Sequence, residues 1–290
     1  MSWPASVVVS AIFIPIYIIL FAGSLFNVFK HGHGKALGFI SLAIFSFVRT
    51  VGDILLVAAY KENYDNTDVV EWGYILQGLG YTFLLSATLA FYQRAKDPDA
   101  AMTPRLSKGI RGILADPSPP KILHLITTIG FILLIIGYTD SDGIFPTSTN
   151  GTSTTQTATL DVKAKIGDCI FVFVTIAIAF LTIISIRSAQ TTEARRIYQF
   201  ILLALPFMAA RMVYITYESF TKDPFHRTLW VKIVFQFIME IAVVVIYFVL
   251  GFVIDKISSS RDIEAGTGRS PNYDSSFSDT SKFSPAMSKG

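Results

Sequence analysis

The segment LWVKIVFQFIMEIAVVVIYFVLGFVI, residues 229–254, decides how this chain is to be read. It is long and apolar enough to cross a bilayer, since roughly 20 helical residues cover about 30 Å of hydrocarbon. Near its middle sits a carboxylate, Glu240, whose neighbours Ile238, Met239, Ile241, Ala242 and Val243 offer no polar relief. A charge at that depth costs about 2.5–3.5 kcal/mol even on insertion scales, so it faces a protein interior and needs a partner there. Arg49 and Arg211 are the candidate partners. A span carrying such an acid belongs to a larger bundle.

Six further stretches of the same kind lie upstream, near 6–29, 36–60, 69–92, 122–139, 162–186 and 197–220. The whole chain of 290 residues is 52% hydrophobic and only 16% charged, with mean hydropathy +0.52. Soluble domains carry about 25% charged residues, so this is a membrane composition. An open sheet in lipid would leave backbone donors and acceptors unpaired, which leaves helix as the reading of each span. The expected fold is all-α: a polytopic membrane protein with a seven-transmembrane-helix bundle as one domain, 1–256. Residues 257–290, rich in serine and alternating small, polar and charged residues, read as a disordered cytoplasmic tail. No internal repeat is visible.

The basic residues report topology rather than a nucleic-acid face, and with a net charge of +3 no nucleic-acid partner is expected. Lys30 and Lys35 follow the first span. Arg94, Lys96, Arg105, Lys108, Arg111 and Lys121 lie between the third and fourth, and Arg187, Arg195 and Arg196 between the fifth and sixth. The alternate loops are poorer in Lys and Arg, and Glu62, Asp65, Asp68 and Glu71 make one of them acidic. Positive charge marks the cytoplasmic side, so the N-terminus is outside or lumenal and the C-terminus cytoplasmic. The sequon Asn150-Gly151-Thr152 falls in an outer loop under this topology and makes Asn150 a glycosylation candidate. That loop, 140–161, is a Ser/Thr-rich tract with no means of burying itself and is expected to be mobile. The bilayer is either the endoplasmic reticulum or the plasma membrane. Cys169 is the single cysteine and reads as a small residue in an apolar run. The first apolar stretch lacks a basic leader and reads as a retained helix.

Several polar residues share faces of the spans. Arg49 and Asp53 are four apart on the second, and Gln236 and Glu240 four apart on the seventh. Arg211, Tyr214 and Glu218 follow a helical spacing on the sixth, with Tyr217 beside them. Gln77 and Tyr81 sit on the third and Asp168 on the fifth. At 1.5 Å per residue, Arg49 and Arg211 lie about 20 Å from the cytoplasmic starts of their spans, and Glu240 about 17 Å from the outer start of its own. The set thus occupies one slab, from mid-membrane to the outer surface, which a cavity open to the outside would satisfy. The plainer reading is that Arg49 with Asp53, or Arg211 with Glu240, are buried ion pairs that set helix register. No metal is expected: His31, His33, His124 and His226 do not fall in ligand pairs, and His31-Gly32-His33-Gly34 reads as a flexible connector. There is no phosphate-binding glycine loop and no Ser-His-Asp order, so no cofactor is expected either.

The chain resembles a family of uncharacterised fungal seven-helix membrane proteins that carries only a domain-of-unknown-function label. The resemblance rests on His31-Gly32-His33-Gly34 with Gly38, on Phe47-Val48-Arg49 with Gly52, on Pro206-Phe207-Met208-Ala209-Ala210-Arg211 with Tyr214, and on Met239-Glu240 with Tyr247 and Gly251. It covers roughly 1–255. The Arg211, Tyr214 and Glu240 pattern also looks distantly like fungal lipid-translocating exporter-like proteins. The resemblance implies a fungal host and a setting in secondary metabolism, without implying a reaction. It also implies that Asp53 stands where relatives more often hold a small or neutral residue.

Three functions fit these features. The first is a membrane-bound terpenoid or meroterpenoid cyclase, by analogy with small fungal seven-helix cyclases that use bilayer-buried carboxylic acids. An acid in a poorly hydrated cavity can stay protonated and start a cation cascade. Glu218, Asp53 and Glu240 are the candidate catalytic acids, with Glu218 preferred as donor because it is furthest from the arginines. Arg49, Arg211, Tyr214, Gln77 and Gln236 would position the lipophilic substrate. The second is a seven-helix receptor or sensor with an outward-facing ligand pocket, for which Tyr92-Gln93-Arg94 is only a loose echo of a receptor motif. The third is a lipid or metabolite transporter.

Overall fold

The computed structural model describes residues 5–31, 37–61, 67–96, 119–140, 147–149, 152–154, 161–189, 191–220 and 229–267. Seven helices are long and apolar enough to cross a membrane. They are α1 (Ala5–His31), α2 (Leu37–Lys61), α3 (Thr67–Lys96), α4 (Pro119–Thr139), α5 (Val162–Ser188), α6 (Thr192–Phe220) and α7. The last is a single run of Leu229–Lys232, a π-helical turn Ile233–Ile238, and Met239–Thr267. The chain is an integral, multi-pass membrane protein. Its outer surface says so directly: Ile19, Phe29, Phe47, Phe173, Phe180 and Val213 are all exposed large apolar side chains, a surface that water would not tolerate and lipid does.

The spans lie where the hydropathy pattern puts them, and the differences are at the ends. α6 starts at Thr192 rather than 197 because Thr191 caps it, its hydroxyl accepting from the Ala194 amide at 3.2 Å. That interfacial turn is polar, with Glu193 facing Arg94 at 3.7 Å, so an apolar count misses it. α7 continues to Thr267, past the expected tail boundary at 257. Residues 255–265 contain neither proline nor glycine, so nothing stops the helix as it leaves the apolar segment. The tract 140–161, expected to be mobile, holds an antiparallel pair, Thr147–Thr149 with Thr152–Thr154, in the register Thr147↔Thr154. Threonine favours strands, and the Asn-Gly dipeptide between these two segments in the sequence favours hairpin turns. Asn150 itself lies outside the described residues.

Small residues let the helices approach. A Cβ on Gly137 of α4 would overlap the backbone of Ala164 on α5, the close packing that membrane helices use in place of a hydrophobic drive. Gly80 of α3 does something different: a Cβ there would lie 3.1 Å from Arg49 Cδ, so the glycine makes room for a guanidinium inside the bundle. Towards the end carrying the basic loops the interior is closely packed and rich in aromatic rings. Phe91 packs on Phe39 and Tyr247 with ring centroids 5.1 and 4.9 Å apart, and the Tyr247 hydroxyl pairs with Thr88 at 2.7 Å. Asn27, Thr88 and Thr182 are buried polar residues in this half, whereas the buried charged groups Asp53, Asp168 and Arg211 lie in the opposite one.

Candidate functional site

Glu240 of α7 is 1% exposed and both its oxygens are engaged. Oε2 accepts from Arg49 Nε at 2.7 Å, from Arg49 Nη2, and from the Tyr17 hydroxyl at 3.2 Å. Oε1 accepts from Arg211 Nε at 3.0 Å. One carboxylate therefore ties α1, α2, α6 and α7 together, and the interhelical Arg–Glu contact expected for it forms twice. The arginines are covered as well as paired. The Arg49 guanidinium lies 5.5 Å from the Phe237 ring centre and 5.8 Å from that of Tyr17, and Arg211 lies 5.9 Å from that of Tyr214. Aromatic faces offset part of the cost of removing a guanidinium from water.

A second polar chain runs alongside. Gln77 Nε2 donates to Asp53 Oδ1 at 2.7 Å, and Gln236 Nε2 donates to Gln77 Oε1 at 3.4 Å. Gln236 belongs to the π-helical turn, whose extra residue changes the direction in which side chains before Glu240 point. Gln77 and Gln236 then line a cavity of about 60 Å³ among α3, α4, α5, α6 and α7. Arg211, Glu218, Lys232 and Asp168 supply its charge, and Tyr74, Tyr81, Tyr138 and Phe171 its aromatic walls. Asp168 is 1% exposed; its Oδ2 accepts from the Ser219 hydroxyl, and its Oδ1 has no hydrogen-bond partner among the described residues. Five helices reach this cavity from the end of the bundle opposite the basic loops, that is, with the start of α3, α5 and α7 and the end of α4 and α6.

The sequence-chosen residues thus divide. Arg49, Arg211 and Glu240 meet in the clamp. Gln77, Gln236, Glu218 and, again, Arg211 face the cavity. Asp53 sits behind Gln77, and Tyr214 stacks on Phe235, with centroids 6.1 Å apart, instead of lining the cavity. Lys232 and Tyr17 were not singled out. Lys232 stands three positions into an apolar run and reads as an end residue reaching for water; Tyr17 carries no charge and so no cost in lipid to betray it. Asp168 was noticed without a role. Among the described residues no group of three or more His, Cys, Asp or Glu side chains is placed to hold a metal ion.

Residues 5–257 match the model of a family described as Domain of unknown function (DUF7702), and the chain belongs to that family. No curated protein and no solved structure matches it.

Proposed function

We propose that this membrane protein is a seven-helix sensor, with its N-terminus outside, that takes a small polar ligand in the cavity at its outer end and conveys occupancy through the Glu240 clamp. One observation carries the reading: Arg211 belongs to both structures, lining the cavity and donating to Glu240. A ligand bound beside Arg211 changes the field in which that guanidinium holds Glu240, and with it four helices, and differential interaction of this kind is what lets a ligand bias a conformation. The aromatic packing at the basic-loop end supports one-sided access.

The size of this cavity supports a small polar ligand over a terpenoid substrate bound in the same place. A water occupies roughly 10–15 Å³ of such a volume, so about 60 Å³ holds a few waters or a small polar group. Pockets for drug-sized apolar molecules run to about 300–1,000 Å³. The candidate acids are also differently placed. Glu240 has both oxygens accepting from arginine, Asp53 is held by Gln77, and Glu218 alone among the three lines the cavity.

The test uses the full chain in lipid nanodiscs with Cys169→Ser and fluorophores at Lys96→Cys and Ser188→Cys, exposed positions at the basic-loop ends of α3 and α5. Small amines, amino acids and carboxylates are titrated. The expected result is a saturable change in the distance between labels, lost in Arg49→Lys while ligand affinity stays within about threefold. Conversion of an epoxy-prenyl substrate by microsomes carrying the protein, with no such distance change, would favour the cyclase instead.

A further inference from the structure

The charged residues buried in or lining this end of the bundle do not balance. The cations are Arg49, Arg211 and Lys232; the carboxylates are Asp53, Asp168, Glu218 and Glu240. With every group charged, four acids face three bases. Glu240 is bracketed by Arg49 and Arg211. Asp53 shares the field of Arg49 and takes a hydrogen bond from Gln77. Lys232 and Glu218 line the cavity together. The acid left over is Asp168: it shares the field of Arg211, which Glu240 already engages, its hydrogen bond comes from the Ser219 hydroxyl, and its Oδ1 is buried with no hydrogen-bond partner among the described residues. Oδ2 of Asp53 is likewise unpartnered, but Asp168, unlike Asp53, lines the cavity.

We propose that this corner of the cavity is a binding site for a small organic ammonium group, with Asp168 as the anionic anchor. The inference rests on the sensor reading and names its ligand class. An ammonium supplies what the corner lacks, one positive charge and a donor for Oδ1. Phe171 and Tyr138 line the same cavity with aromatic faces, which attract alkylammonium ions. The volume admits the ammonium head with a carbon or two, the rest of a larger amine projecting to the open side. A carboxylate ligand has less to gain there, since Arg211 is already committed to Glu240 and Glu218 stands in the same cavity as Lys232.

The probe is methylammonium chloride, titrated against the full chain in nanodiscs, with sodium chloride and sodium acetate at equal ionic strength as comparisons. Binding is read by calorimetry and by the shift in unfolding midpoint, and the inter-label distance is read separately. Saturable binding of methylammonium alone is expected, weakened about 10- to 100-fold in Asp168→Asn, the range expected on losing a hydrogen bond to a charged group. Asn keeps an acceptor for Ser219 and removes the charge. Should that variant fail to fold, Glu218→Gln removes the other cavity carboxylate from α6 and is expected to weaken binding less than tenfold. Equal binding to wild type and both variants, or no methylammonium binding at all, overturns the site. Acetate binding that moves the labels overturns the ligand class while leaving the sensor reading intact. Methylammonium binding that is lost in Asp168→Asn yet never moves the labels upholds the site and sinks the sensor.

Discussion

Arg49 Nε lies 2.7 Å from Glu240 Oε2, a contact between helices 191 positions apart in the chain. Neither side chain has water to fall back on, since Arg49 is 0% and Glu240 1% exposed. A buried pair of this kind is poor evidence of stability in itself, because desolvation of the two charges offsets much of their attraction. Breaking it from one side leaves a stranded charge.

Removing the carboxylate alone should therefore be costly. Glu240→Gln keeps the shape and strands two arginines, and a loss of about 3–5 kcal/mol is expected. The double variant Arg49→Met with Glu240→Met removes one charge of each sign and should lose less than Glu240→Gln does. Reversible unfolding in mixed micelles measures both, and a double variant weaker than the single would show that the clamp stabilises by more than avoiding a stranded charge.

How much of this was legible follows from where cost shows in a sequence. The seven spans were, because lipid demands long apolar runs. Arg49, Arg211 and Glu240 were, because a charge at mid-membrane is expensive enough to require a partner. Tyr17 was not, since a phenol in a membrane helix is ordinary and its hydrogen bond to Glu240 exists only once four helices meet. Nor was the π-helical turn before Glu240: it adds one residue to an otherwise helical pattern, and no residue type marks it. Cavity size likewise depends on how side chains from five helices interlock, so an aromatic-rich sequence with several acids does not reveal a space of about 60 Å³.

Gly80 offers a test of the clamp from a residue that never touches Glu240. Its missing side chain leaves space for Arg49 Cδ and the Phe45 ring, 3.1 and 3.2 Å from where a Cβ would lie. Gly80→Val should destabilise by roughly 1–3 kcal/mol through overpacking. If the damage is displacement of Arg49 from Glu240, the extra cost shrinks in the Glu240→Gln background, because contacting residues are not additive. A full additive cost would mean that Gly80 serves helix packing alone.

Asp168→Asn should move stability the opposite way from Glu240→Gln. The clamp carboxylate compensates two cations, whereas Asp168 is a buried carboxylate with one hydroxyl partner and an unpartnered oxygen. Neutralising it relieves a desolvation cost, and a gain of roughly 1–3 kcal/mol is expected in ligand-free buffer. Unfolding midpoints measured side by side decide the matter: a loss comparable to that of Glu240→Gln would show Asp168 to be compensated by the protein itself.

The π-helical turn Ile233–Ile238 sets the phase between the clamp and the cavity. Glu240 follows the turn and Lys232 precedes it, so one extra residue decides whether both can face the interior together. Deleting Val234 should restore an α-helical phase, rotating Lys232 by about 100° and drawing it about 1.5 Å along the axis relative to Glu240. The clamp lies beyond the deletion, so most of the stability should remain while Lys232 turns off the cavity. Introducing Lys232→Cys with Cys169→Ser makes that rotation measurable. A hydrophilic thiol reagent should label Cys at this position several times more slowly after the deletion, with labelling of a Glu218→Cys control unchanged. Equal rates before and after would mean that the helix absorbs the deletion elsewhere and that the turn does not govern what the cavity presents.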